Sequence, residues 1–220
     1  IEDSTNVCIS KRAVIVMCAD NGIVREGISQ SGQEVTLAVA QSMGRRESSV
    51  CRMASASHTD VIPVDIGIAA SCKIDGVLDE KIACGTRNFA KEPAMTEKET
   101  LDAIDTGVRL VKQCKENGYQ ILATGEMGIG NTTTSSAVTA ALLHRLASET
   151  AGRGAGLNDK GLSRKKQVIQ EAIDRYDLYK ADAFTVLQTV GGLDIAGLTG
   201  VFIGGAMYHV PIVLDGLISG

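Results

Sequence analysis

The chain has 220 residues, with 22 Lys and Arg against 26 Asp and Glu, a net charge of −4. That balance excludes a nucleic-acid binder, because neutralising phosphates needs a basic surface. Hydrophobic residues at 44% and charged residues at 22% are ordinary globular composition and supply one sizeable core.

The first segment with a clear signature is 11–18, KRAVIVMC, a continuous apolar run ended by Asp20-Asn21-Gly22. It reads as a buried parallel strand whose carboxyl end opens into a loop, where α/β folds place their chemistry. Helical patterns follow over 33–43 and 47–56, then an apolar run at 60–64 and a less regular stretch with Gly76, Gly85 and Pro93. Thr96 with Glu99 three residues on is a capping box, and Leu101, Ile104, Val108 and Val111 are the expected apolar face of the helix it opens. Asn117-Gly118 stops that helix. A second buried strand is expected at 120–124, QILAT, and a short last one at 210–214. Between them lie a second glycine-rich loop at 151–161 and an apolar, small-residue region from Ala183, where close helix packing explains the glycines. Strand, loop and helix repeating without hairpin signals predict an α/β fold, a parallel sheet flanked by helices on both faces.

The unusual feature of the composition is 24 glycines beside no Trp, three Phe and four Tyr, and two loops account for many of them. GEMGIGNTTT at 125–134 spaces its glycines G-x-x-G-x-G, the reverse of a dinucleotide fingerprint, and lacks the Gly-Lys-Ser/Thr ending of a P-loop. Three glycines let backbone approach a ligand, and Asn131 and Thr132 at a helix start suit a phosphate. The plain alternative is a glycine turn capped by Asn and Thr. Glu126 favours the functional reading, because a carboxylate among glycines at a strand end is placed to accept a proton or a ring N–H. The loop at 151–161 offers Gly152, Gly154 and Gly156 beside Arg153, followed by Lys165. Asp215, after the last strand, either holds ribose hydroxyls or caps a turn; Ser31 lies in a polar loop after the first strand.

Six cysteines without a C-x-x-C pair, several inside apolar runs, read as reduced core residues, and His58, His144 and His209 have no ligand spacing, so no metal is expected. No apolar stretch reaches ~18 residues and no charged-then-apolar leader opens the chain, so a soluble cytoplasmic protein is expected, with no membrane partner.

GEMGIGNTTTSSA at 125–137, together with CADNGIVREGISQSGQEVT at 18–36, VGGLDIAGLTGVFIGGA at 190–206 and VPIVLDGLIS at 210–219, resembles the nicotinate-nucleotide:dimethylbenzimidazole phosphoribosyltransferases of cobalamin nucleotide-loop assembly. The resemblance is collinear over nearly the whole chain. It implies a Rossmann-like large domain over 1–220, with the family's smaller domain, built from both chain ends, largely outside this sequence. It implies transfer of the phosphoribosyl group of nicotinate mononucleotide to a ring nitrogen of a lower-ligand base, giving α-ribazole 5'-phosphate and nicotinate, without metal or organic cofactor and in a homodimer. By position, Glu126 would be a supporting carboxylate bordering the base and nucleotide pocket with Gly128 and Ile129. Gly152, Gly154, Lys165 and Asp215 would meet phosphate and ribose near Asn131 and Thr132, and Ser31 would lie near the base. Val39 stands where the family carries a base-pocket glutamine, leaving the base open among dimethylbenzimidazole, another benzimidazole, a purine or a phenol. The family's general base is a glutamate in a C-terminal glycine-rich segment that this sequence does not include, so little turnover is expected of these 220 residues alone. The competing readings are a nucleotide- or base-binding module without chemistry and, opposed by the glycine spacing, a dinucleotide oxidoreductase.

Overall fold

A computed structural model describes residues 7–220. In chain order the elements are β1 (Arg12–Ala19), a 3-10 turn (Gly22–Glu26), α1 (Glu34–Gly44), α2 (Ser49–Ala56), β2 (Asp60–Gly67), β3 (Leu78–Asp79), α3 (Glu97–Glu116) and β4 (Ile121–Met127). They continue through α4 (Asn131–Leu142), α5 (Ala147–Thr150), α6 (Asp159–Arg175), a 3-10 turn (Leu178–Lys180), α7 (Ala183–Val190), α8 (Leu193–Tyr208) and β5 (Ile212–Val213). The five strands form one sheet in the order β3-β2-β1-β4-β5, and every pairing is parallel. After β1 the chain builds outward on one side, then crosses to build β4 and β5 on the other. The carboxyl ends of β1 and β4 therefore flank the topological switch point, where such sheets bind ligands.

The alternation of β1 divides the core. Ala13, Ile15, Met17 and Ala19 face the larger cluster that includes α3 and α8 residues, while Val16 and Cys18 face α1 and α2 through Ala40, Met43, Cys51 and Ala54. Cys18, Cys51 and Cys114 are buried as expected, but Cys8, Cys72 and Cys84 are exposed. The last two sit in irregular chain between β2 and α3, outside any apolar run, so the core assignment fails there. The apolar stripe of α3 also differs from expectation. Ala103, Thr106, Gly107, Leu110, Val111 and Cys114 are buried, whereas Leu101 is half exposed, because small residues are needed where α8 comes close. β4 runs on to Met127, so Gly125 and Glu126 belong to the strand rather than to a loop, and β5 is shorter than expected.

The capping box at Thr96 is present, with Thr96 Oγ1 accepting from the Glu99 N–H and the Glu99 carboxylate accepting from the Thr96 N–H. Arg87 donates to both Glu99 oxygens, at 3.2 and 2.6 Å, and holds that carboxyl down to about 2. A carboxyl depressed in the folded state adds stability that is complete above its ordinary value of 4.5 and is lost as pH falls toward 2. Glu99→Gln should therefore lower the urea midpoint at pH 7, by on the order of 1–3 kcal/mol, with the gap to wild type narrowing steadily below pH 4.5.

Candidate phosphoribosyl site at the strand ends

The switch point gathers four loops. β1 ends in Asp20 and Asn21, both buried. β4 ends in Gly128-Ile129-Gly130, and Gly130 adopts φ +95 as the N-cap of α4, a left-handed conformation that makes glycine the suitable residue. Thr36 of α1 pins this turn by accepting the Ile129 N–H at 3.1 Å. Loop 27–33 is tied to both neighbours: Gln33 donates to the Asn21 carbonyl at 3.4 Å and Gln30 donates to the Gly156 carbonyl at 2.8 Å. Ser31 lies in this loop, half-buried, its N–H on the Ser29 hydroxyl.

Lys165 is the most informative side chain. Helix α6 begins at Asp159, behind the Asn158 cap, and Lys165, in its second turn, is 1% exposed. Its Nζ donates to Thr132 Oγ1 at 2.8 Å and to the Gly152 carbonyl at 3.2 Å. Among the described residues it makes no ion pair with a carboxylate, and burial pulls its ammonium down to about 8. Gly154 lies against the same hydroxyl, so close that a Cβ there would sit 2.7 Å from Thr132 Oγ1. Thus Thr132, Gly152, Gly154 and Lys165, spread over 33 residues of sequence, meet at the N-terminus of α4. A buried cation beside a positive helix end is an anion site in electrostatic terms.

Next to it stand two carboxyls. Glu126, on the β4 face shared with Leu122 and Thr124, accepts from Asn131 Nδ2 in a short hydrogen bond. The same amide donates to Asp194 Oδ2 at 3.3 Å. Burial raises the Glu126 carboxyl above its ordinary value despite the Asn131 bond. Asp194, in the first turn of α8, is fully buried, and burial with the Glu126 charge pushes it up to about 7. The residue-based reading missed Asp194. Its signal was there: one carboxylate, directly after Gly191-Gly192-Leu193, within an otherwise apolar run.

Asp215 lies apart from the anion site, exposed after β5, with its N–H directed at Thr124 Oγ1 at 3.4 Å. With Glu126 and Met127 it lines a cavity of about 670 Å³ on the α1 and α2 side of the sheet, whose walls mix Val14, Val16 and Val39 with polar residues such as Ser48 and Arg52, a size suited to a small ligand. His58, His144 and His209 occupy left-handed positions at φ 52, 52 and 55 and take no part. Among the described residues no group of three or more His, Cys, Asp or Glu is arranged to hold a metal, and no helix is long and apolar enough to cross a membrane.

A family model described as Phosphoribosyltransferase (DBI_PRT) matches residues 1–220. The chain belongs to this family. The nicotinate-nucleotide--dimethylbenzimidazole phosphoribosyltransferase of Acetivibrio thermocellus is 45% identical over 212 residues, 96% of this chain and 60% of that protein. That of Clostridium perfringens strain 13 is 41% identical over 211 residues, 96% of this chain and 58% of the relative. Among solved structures, the crystal structure of CobT from Thermus thermophilus superposes with a TM-score of 0.91 at 34% identity, covering 97% of this chain and 64% of that one. The expected α/β fold with its parallel sheet is that of this neighbour. The chain spans about 60% of the length of the curated relatives it matches.

Proposed function

We infer that this chain carries the nucleotide-binding site of an enzyme that moves the phosphoribosyl group of nicotinate mononucleotide onto a ring nitrogen of a benzimidazole-type base, releasing nicotinate and forming an α-ribazole 5'-phosphate. The observation that carries this reading is the buried Lys165 ammonium, held by the Thr132 hydroxyl at 2.8 Å with no carboxylate among the described residues to neutralise it. A phosphate supplies the missing charge, with the backbone of Gly152 and Gly154 and the start of α4 around it. Glu126, hydrogen-bonded to the residue that precedes Thr132, is placed to accept from a ribose hydroxyl, and Asp215 stands at the rim of a cavity of mixed polar and apolar lining in which a planar base would pack on valine and methionine side chains. Binding both reactants side by side lowers the barrier by orientation, and the positive anion site steadies the nucleotide as the glycosidic bond breaks. Ser31 lies toward the base, and the enzyme works as a cytoplasmic homodimer without metal or organic cofactor.

The base that takes the proton from the attacking nitrogen is proposed to be a glutamate outside these 220 residues, in the additional length that the relatives possess. Incubation with nicotinate mononucleotide and dimethylbenzimidazole should give little α-ribazole phosphate from the 220-residue chain and sustained turnover from a chain of the relatives' full length. Rapid turnover by the short chain would refute the role given to the outside glutamate, and failure of the long chain to react would refute the activity.

A further inference from the structure

The Glu126–Asp194 pair has no counter-charge among the described residues. Among the described residues neither carboxyl is in an ion pair, yet Asp194 is fully buried and Glu126 largely so. A single side-chain amide, Asn131, serves both: its NH2 donates to Glu126 Oε2 and to Asp194 Oδ2, and the opposite amide orientation would set an oxygen against both. Asp194 Oδ1 accepts from the Ile195 N–H at 3.0 Å. Backbone closes the space around it. A Cβ on Gly128 would lie 2.8 Å from Asp194 Oδ2, and one on Gly192 would lie 2.4 Å from Asp194 Oδ1, so both glycines are required by the carboxyl's position. Asn21, fully buried with neither amide atom hydrogen-bonded, lies against the same two glycines.

Two like charges this close, one fully buried and the other largely so, cannot both persist at low cost. We propose that Asp194 is a positioning residue that holds the proton of this pair at neutral pH, so that Glu126 alone presents an ionised carboxylate, fixed through Asn131, to the phosphoribosyl ligand. The direction of both shifts agrees, burial and the Glu126 charge raising Asp194 and burial raising Glu126. Among the described residues, the titratable groups on the neighbouring elements supply the pair no cation. The Cys18 thiol on β1 is pushed up by burial and by the neighbouring carboxylates. Asp20 is an acid, Lys81 is committed to Asp65 at 3.0 Å, and Lys165 to Thr132 and Gly152. The positioning role rests on the nucleotide reading above; the protonation of the pair does not.

Carboxyl carbon-13 titration of the ligand-free chain, labelled at Asp and Glu, tests the pair directly. Asp194 should titrate near neutral pH and Glu126 below it, and in Glu126→Gln the Asp194 midpoint should fall, because the ionised carboxylate that raises it is gone, while Asp194→Asn leaves the Glu126 midpoint in place. An Asp194 that is ionised down to pH 5, or an Asp194 midpoint unmoved by Glu126→Gln, overturns the proposal. Calorimetry with nicotinate mononucleotide at pH 7 adds the positioning test: Asp194→Asn, which copies the protonated side chain, should keep affinity within about threefold, and Asp194→Ala should lose about tenfold or more, on the scale of one hydrogen bond to a charged group. Equal affinity in the alanine variant overturns positioning, and the wild-type titration stands even where that variant does not fold. If wild type fails to bind the nucleotide while the carboxyls titrate as described, the nucleotide reading falls and the shared proton remains.

Discussion

Lys165→Met is expected to weaken binding of nicotinate mononucleotide by about 30-fold or more while making the folded chain more stable at pH 7. The two effects have one cause. Nζ is buried, and its bonds to Thr132 Oγ1 and the Gly152 carbonyl replace only part of the hydration it gives up. Methionine fills a similar volume without charge, so the unliganded fold is relieved of that cost and the ligand loses its counter-ion. The sign of the pH dependence follows. A lysine depressed to about 8 from an ordinary value of 10.5 binds fewer protons folded than unfolded between those values, so wild-type stability rises with pH across that window. The cost is present in full below pH 8. Urea midpoints should thus favour Lys165→Met at pH 7, and the difference should shrink as pH rises toward 10.5. A variant that loses stability at pH 7 while keeping its affinity would show that the ammonium is structural.

Gly200→Ala is expected to be the more damaging change to the fold. Helix α8 lies on α3 with backbone touching backbone. A Cβ at Gly200 would sit 2.0 Å from the Ile104 carbonyl oxygen and 3.0 Å from the Gly107 Cα, and one at Gly107 would sit 2.1 Å from the Gly197 carbonyl oxygen. No rotamer relieves a clash with backbone, so the helices must separate. The intrinsic gain of about 1 kcal/mol for Ala over Gly in a helix is opposed by loss of packing along the whole contact. A net loss of about 1–3 kcal/mol, or more, follows, read as a lower urea midpoint. Because α8 begins at the carboxyl pair, the same substitution should also disturb Asp194, and a weaker nucleotide affinity should accompany the lost stability.

Much of this was legible in the sequence where one local rule decided the outcome. The apolar run of β1, the Thr96 capping box and the α4 start at Asn131 and Thr132 follow from period and capping chemistry, and the glycines of 191–205 announced tight packing. Misreadings arose where distant residues decide. Leu101 fits a helical stripe, yet small residues occupy the buried one because α8 presses on α3. Lys165 could be singled out only as a cation following the 151–161 loop, and the fold adds that α6 turns it onto Thr132. Glu126 could be singled out as a carboxylate among glycines, but its partner Asp194 is 68 positions later by the numbering of the two residues, and no local pattern links them. The family resemblance carried the remaining site residues, and it alone brought Ser31 and Asp215 into one description.

The most direct test is amide chemical-shift mapping of the 220-residue chain titrated with nicotinate mononucleotide. A phosphoribosyl site around Lys165 predicts saturable shifts concentrated at residues 128–132 and 152–154 and at Lys165, with the amides of β3 and the exposed face of α3 silent, and loss of the pattern in Lys165→Met. Shifts confined to other surfaces, or none at millimolar ligand, would contradict a phosphoribosyl site at the β1 and β4 strand ends.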